Sequence, residues 1–399
     1  MSLADILDTR DPATVANPYD IYRELRSHRD LVWSDRLGLW LAPTHETANA
    51  TLRNKSLGRL YQAQEPFDEW EIFNWLHSDS ILDSEPPKHT RLRSLVAKAF
   101  NRQKIEGMRP AVERITVQLL DAIQEKIKAG QNFDLIADYA EPLPVKIIAD
   151  LLGFPESEEH LLRPWSQAIV KMYEVNPSVQ YQTEAKLAAK EFADYVRDLA
   201  ESRKKTPGQD LISDLASVEE NGEKLNMHEL VATCVLLLNA GHEASVNAFG
   251  NGMVAALQRP DQVQLLRQSP REITNTALEE FMRFDAPLHL FERTATADTE
   301  LGGVQIKEGQ KIAALIGSAN RDETVFSAPE TMDLTRDPNP HIGFGAGIHF
   351  CLGAPLARLE MSVSLPALWE KYPTMQLAAE PVRRPTFVLR GYESVAISV

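Results

Sequence analysis

The chain has 399 residues, 43% of them hydrophobic and 25% charged, with a formal net charge of −15. So acidic a chain repels a phosphate backbone, which argues against a nucleic-acid partner. Two cysteines 117 positions apart give no disulfide framework, and no run of about 20 apolar residues exists to span a membrane. The opening Met1-Ser2-Leu3-Ala4-Asp5 lacks the basic and apolar regions of a signal peptide, so none is expected. A prior of about 150 residues per domain would allow two or three. No Gly/Ser linker, low-complexity tract or internal repeat divides the chain, so one domain over 1–399 is expected.

Asp11-Pro12 begins an opening helix over 11–30, with Tyr19, Tyr22 and Leu25 at helical spacing. Leu31-Val32-Trp33 and Leu39-Trp40-Leu41 read as a hairpin turning at 35–38. An irregular stretch rich in aromatics (Tyr61, Phe67, Trp70, Phe73, Trp75) follows Arg59, with a packed surface helix as the plain alternative. Pro86-Pro87 stop one element, and a helix begins near Lys88 that puts His89 and Arg93 four apart on one face. Residues 105–205 are mostly helical in pattern, with breaks at Gly130, Gly153 and Pro177.

A long helix over about 226–258 comes next, opened by an Asn226/Glu229 capping box and stopped by Pro260. Its length of roughly 48 Å, at 1.5 Å per residue, crosses the whole protein. Leu237, Ala240, Gly241, Ala244 and Ala248 share one face, a trough of mostly very small side chains. Small-residue helix packing explains that trough as well as a flat ligand does. Packing does not explain Glu243, a carboxylate in the middle of an apolar helix. Ser245 is placed to bond back to the Gly241 carbonyl. Glu280 and Arg283 sit three apart on a further helix. Arg293 opens a small sheet whose hairpin strands are read at 302–306 and 311–315. Strands at 387–389 and 395–399 close the chain.

Phe344-Gly345-Ala346-Gly347-Ile348-His349-Phe350-Cys351-Leu352-Gly353 carries one of the two cysteines just ahead of a helix starting at Ala354. Unpartnered backbone N–H groups there favour thiolate over thiol. The glycines admit a flat object close to the backbone. A lone thiolate does not suit zinc, which takes about four ligands; it suits a single axial bond to haem iron.

Phe344-x-x-Gly347-x-x-x-Cys351-x-Gly353 resembles the haem-binding loop of the cytochrome P-450 family, the haem-thiolate monooxygenases. The resemblance spans roughly residue 10 to the end. It implies a mainly α fold with a minor β-sheet region, a single domain around a buried haem b, and Cys351 as the metal ligand. His89, Arg93, Arg293 and His349 match its propionate contacts. Phe344, Gly345 and Gly353 match its loop, and Ala240, Gly241 and Ala244 its distal wall. Glu280, Arg283 and Arg336 match a structural network behind the loop. Leu237, Leu288, His289 and Leu290 are expected at the substrate pocket, His289 or Asn239 fixing a polar end. The segment 165–182 corresponds to the family's pocket lid, where Met172 and Tyr173 either face substrate or pack, with packing preferred.

One departure stands out: Ala244 occupies the position of the oxygen-activating Thr. Glu243 is then the proton-relay candidate, with Ser245 beside it. The implied activity is insertion of one oxygen atom from O2 into a C–H bond of a hydrophobic small molecule. Electrons would come from NAD(P)H through a ferredoxin-type donor and its reductase, docking on a patch of Arg91, Lys98, Arg102 and Arg358. Ala244 keeps a peroxygenase or rearrangement enzyme as the alternative, and a non-catalytic haem sensor is a third. An unpaired thiolate implies a reducing compartment, hence a soluble, cytoplasmic, bacterial-type protein without a membrane anchor.

Overall fold

The computed structural model describes residues 3–28, 31–174, 177–219 and 222–399. Its centre is the helix Met227–Leu257, 31 residues capped by the Asn226/Glu229 box. This helix is apolar around nearly its whole circumference and is buried accordingly. Pro142–Leu152, Val179–Lys205 and Pro270–Phe284 pack against it. Ala354–Lys371 is wedged between Pro270–Phe284 and Arg109–Lys128. A helical body around one core and a small sheet region make the fold mainly α.

The main sheet has five strands in the order Val32–Ser34, Leu39–Ala42, Lys311–Ala314, Phe291–Ala295, Leu57–Gly58. Leu39–Ala42 runs parallel to Lys311–Ala314 and the other pairs are antiparallel. The first hairpin forms where expected, its turn helped by Gly38 at φ +66°.

Four expected elements differ. The opening helix is two, Pro12–Ala16 and Tyr19–Ser27, because Pro18 has no N–H to continue the ladder; positions 29 and 30 lie outside the described residues. The aromatic stretch contains a helix, Phe67–Ser78, with Trp70 and Phe73 buried on its inner side. Val304–Ile306 pairs with Thr299–Leu301, not with Lys311–Ala314. Gly302 and Gly303, at φ +55° and +77°, make a two-residue turn that closes this separate hairpin. Residues 387–389 form no strand: their three N–H groups donate to the Glu174 carboxylate at 3.1–3.2 Å, and only Leu389 bridges to Leu288.

Candidate active site

The cysteine loop is folded by its own backbone. Gly345 and Gly347 adopt φ +73° and +71°, and a Cβ on Gly347 would meet the Leu52 carbonyl at 2.5 Å, so only glycine fits there. The Cys351 N–H donates to the Phe344 carbonyl at 2.9 Å. Arg93 donates to the Phe350 carbonyl at 2.6 Å, and the Arg358 guanidinium lies 4.5 Å above the Phe344 ring. Half-buried Cys351 faces a cavity of about 800 Å³. Burial pushes its thiol pKa up, against the N–H groups of Gly353 and Ala354 and the charges of Arg93 and Arg358. The helix start and the two arginines favour the thiolate and burial opposes it, and a cation bonded to sulfur would add to the first.

Across the cavity lies the trough. Ala240 is exposed although Leu238, Asn239, His242 and Glu243 around it are buried, because it faces the cavity with Gly241 and Ala244. The Ser245 hydroxyl donates to the Gly241 carbonyl at 3.2 Å. Leu237, Leu288 and Leu290 line the same space.

His289 does not. Neighbours in extended chain point to opposite sides, and His289 turns into the protein, fully buried, with Nδ1 2.9 Å from the Tyr22 hydroxyl and Nε2 3.7 Å from Asp285. Burial, together with the nearby Arg390, lowers its pKa to about 4. Met172 and Tyr173, in contrast, line the cavity, Met172 also packing on the core and Tyr173 edge-on to the His77 ring.

The edge of the cavity is cationic. Arg93, Arg293 and His349 line it, and His89 lies behind, its ring 4.5 Å from that of His349. His89 Nε2 and Arg293 Nη2 are buried without a hydrogen-bond partner. Burial, with His349 and Arg93 alongside, lowers the His89 pKa to about 4, and burial beside Arg59 lowers that of Arg293 to about 9. Buried polar groups without a partner call for one, and a carboxylate suits the Arg293 guanidinium. A lone sulfur, a wall of very small residues and this edge together fit an iron porphyrin with two carboxylates. Glu85 joins the edge unannounced by the sequence, accepting from His349 at 2.9 Å and from the Arg59 N–H at 2.7 Å.

Behind the loop, Arg283 and Glu280 are completely buried and paired through two contacts of 2.7 Å. Arg336 Nε lies 3.2 Å from Glu280, and Asn339 and the Asp333 N–H also donate to that carboxylate. Arg283 spends its other donors on the carbonyls of Asn320, Pro329 and Thr331. The Glu280–Arg283 pair is satisfied on all sides and keeps its value, while Arg336 Nε adds an ion-pair contact to Glu280 without a formed hydrogen bond.

Glu243 is not a free acid. It accepts from Arg384 at 2.7 Å and lies 3.4 Å from His242. Burial alone would raise its pKa, but His242 and Arg384 bring it down to about 2. Arg384, 141 positions away, left no signal in the sequence. The surface patch is thinner than expected, since Arg91 pairs with Glu229 and Arg358 with Glu279. Among the described residues no helix is long and apolar enough to cross a membrane.

The family model for cytochrome P450 matches residues 62–380. The chain is 36% identical to the putative cytochrome P450 YjiB of Bacillus subtilis, over 99% of this chain and 97% of that protein. It is 41% identical to the polyketide biosynthesis cytochrome P450 PksS of the same organism, over 81% and 78%. It superposes with a TM-score of 0.91, at 32% identity, on P450BioI crystallised with a hexadec-9Z-enoic acid-ligated acyl carrier protein, covering 98% of this chain and 100% of that one. By the family model and by these relatives the chain belongs to the cytochrome P450 family, monooxygenases whose cofactor is haem b.

Proposed function

We propose that this monooxygenase inserts one oxygen atom from O2 into a C–H bond of an elongated hydrophobic small molecule, with NAD(P)H electrons arriving through a ferredoxin-type donor and its reductase. When bound, haem b supplies the activation of O2. Cys351 would hold the haem iron, its loop fixed by the Phe344 carbonyl contact and the turns at Gly345 and Gly347. His89, Arg93, Arg293 and His349 would hold its carboxylates, and the Glu280–Arg283–Arg336 network would stiffen the loop from behind. Ala240, Gly241 and Ala244 leave room on the distal side, where Leu237, Leu288 and Leu290 hold an apolar substrate away from water. The observation that carries this reading is Cys351 facing Ala240 and Ala244 across one cavity.

Long acyl chains are the first substrates to try, since one relative carries hexadec-9Z-enoic acid and another serves polyketide biosynthesis. Titrating haem-loaded protein with palmitoleic acid should displace the Soret band to shorter wavelength. The reduced, carbon-monoxide-treated protein should absorb near 450 nm, the band of a thiolate ligand, and Cys351→His should abolish it. Absence of that band from the unaltered protein would overturn the reading.

Ala244 lacks a hydroxyl and the Ser245 hydroxyl is engaged in donating to the Gly241 carbonyl, which supports a peroxygenase as the second reading. Turnover driven by hydrogen peroxide alone, faster than that driven by the ferredoxin pair, would favour it.

A further inference from the structure

Two side chains on the cavity wall carry polar atoms that the protein itself leaves unused. His77 sits in the last turn of the helix Phe67–Ser78, 7% exposed, with Nδ1 2.8 Å from the Phe73 carbonyl one turn back. A carbonyl only accepts, so Nδ1 carries the ring hydrogen and Nε2 keeps its lone pair. Burial, against the pull of Asp83, holds the imidazole pKa below its ordinary value, and the ring is neutral at pH 7. Tyr61 and Phe73 stack on it at centroid distances of 5.4 and 4.2 Å, and Tyr173 stands edge-on to it at 6.0 Å and 84°. All four rings line the main cavity. Among the described residues nothing hydrogen-bonds to His77 Nε2 or to the Tyr173 hydroxyl, and neither atom is sealed in packed protein.

Both rings are held from behind. The Glu174 carboxylate, next in the chain to Tyr173, accepts from the N–H groups of Phe387, Val388 and Leu389, which pins the turn Lys171–Tyr173 at the cavity wall. Tyr61 is fixed by donating to Asn74 at 2.6 Å. The cavity's cations away from the cysteine edge are already paired: Arg59 with Asp83, Lys311 with Glu292, Arg36 with Asp8. A carboxylate brought to His77 and Tyr173 would face a lone pair, find one donor and meet no free cation, the costly way to bury a charge. A neutral hydroxyl donates to Nε2 and accepts from the tyrosine, leaving nothing unpaired.

We propose that His77 and Tyr173 form a hydroxyl-recognising subsite, so that the substrate is an apolar molecule bearing a neutral alcohol group whose O–H donates to His77 Nε2 and whose oxygen accepts from Tyr173. The inference rests on the monooxygenase reading above and narrows its substrate class. A free long-chain acid enters by its apolar chain alone, whereas the matching alcohol gains both hydrogen bonds. The subsite orients the molecule and takes no part in the oxygen chemistry. Which C–H bond is oxidised is then set by its distance along the chain from that hydroxyl.

The test is a set of Soret-shift titrations of the haem-loaded protein with palmitoleyl alcohol, its methyl ether and palmitoleic acid. The alcohol should bind about 10-fold tighter than the ether, which keeps the oxygen but has no O–H to give, and tighter than the acid. His77→Phe preserves a stacked ring without the acceptor and should bring the alcohol-to-ether ratio close to one. Tyr173→Phe removes a donor that serves both oxygens, so both ligands should weaken with their ratio kept. A purely structural role for His77 would weaken all three ligands alike, and an unchanged ratio in His77→Phe overturns the proposal. So does a wild-type protein that binds the ether as well as the alcohol, or the acid tightest of the three. Should His77→Phe fail to load haem, that wild-type order decides. A normal carbon-monoxide band with no preference for the alcohol sinks the proposal alone, whereas a missing thiolate band sinks the functional reading with it.

Discussion

Two buried carboxylates in this molecule should respond to pH in opposite directions. Glu243, lowered to about 2, contributes stability that is fully present above the ordinary carboxylate range and is lost as pH falls through 2. Glu243→Gln should therefore lower the urea midpoint at pH 7, with the difference from wild type shrinking toward pH 2. Glu360, raised to about 8, binds a proton in the folded state that the unfolded chain has already released. Its contribution falls as pH rises from about 4.5 to 8, and Glu360→Gln should flatten that decline in a pH series of unfolding midpoints. His289 offers a third test. His289→Phe leaves the Tyr22 hydroxyl and Asp285 short of a partner and should cost about 1–3 kcal/mol, with no change in the palmitoleic acid spectral shift because the ring is outside the cavity. Glu360 was within reach of sequence reasoning: the suspicion attached to Glu243, a carboxylate among apolar neighbours, applies equally to Leu359-Glu360-Met361. Which of the two is paired was not legible, because Arg384 lies 141 positions from Glu243 and only the fold brings it there.

Among the elements, helices declare themselves better than strands do. The capping box at Asn226 and Glu229 and the run to Leu257 are local facts, and the long helix begins and ends within a residue of its expected bounds. Strand pairing is non-local: Lys311–Ala314 joins both Phe291–Ala295 and Leu39–Ala42, and nothing in its own residues says so. The Gly302-Gly303 pair was the available clue to the separate hairpin. Gly303→Ala, at φ +77°, should cost about 1 kcal/mol in thermal unfolding and leave haem spectra untouched. The pair behind the loop should be far less forgiving. Arg283→Lys loses the two-point grip on Glu280 and strands buried acceptors, and breaking such a pair costs about 3–5 kcal/mol. We expect reduced haem content on purification and a thiolate band that decays on standing.

Taken as a whole, the molecule is strongly acidic, yet its cavity edge gathers Arg59, Arg93, Arg293, His89 and His349 against Glu85 and Asp83. Without an anionic ligand the guanidinium groups of Arg59 and Arg293 repel each other in a desolvated place. Loading haem should raise the melting temperature, as any ligand selective for the folded state does, and Arg293→Leu should diminish that gain more than it alters the haem-free protein. The wiring of the sheets also bears on how the chain is made. Trp40 reaches Gln310 across 270 positions, and Asp134 receives Ser394 across 260. During synthesis the early strands must wait, unpartnered, until most of the polypeptide has left the ribosome, while the helices between them already have near neighbours to dock on. Vectorial synthesis should accordingly yield a helical intermediate with dangling sheet edges, and a translational pause before position 310 is where aggregation of the nascent chain would be most severe.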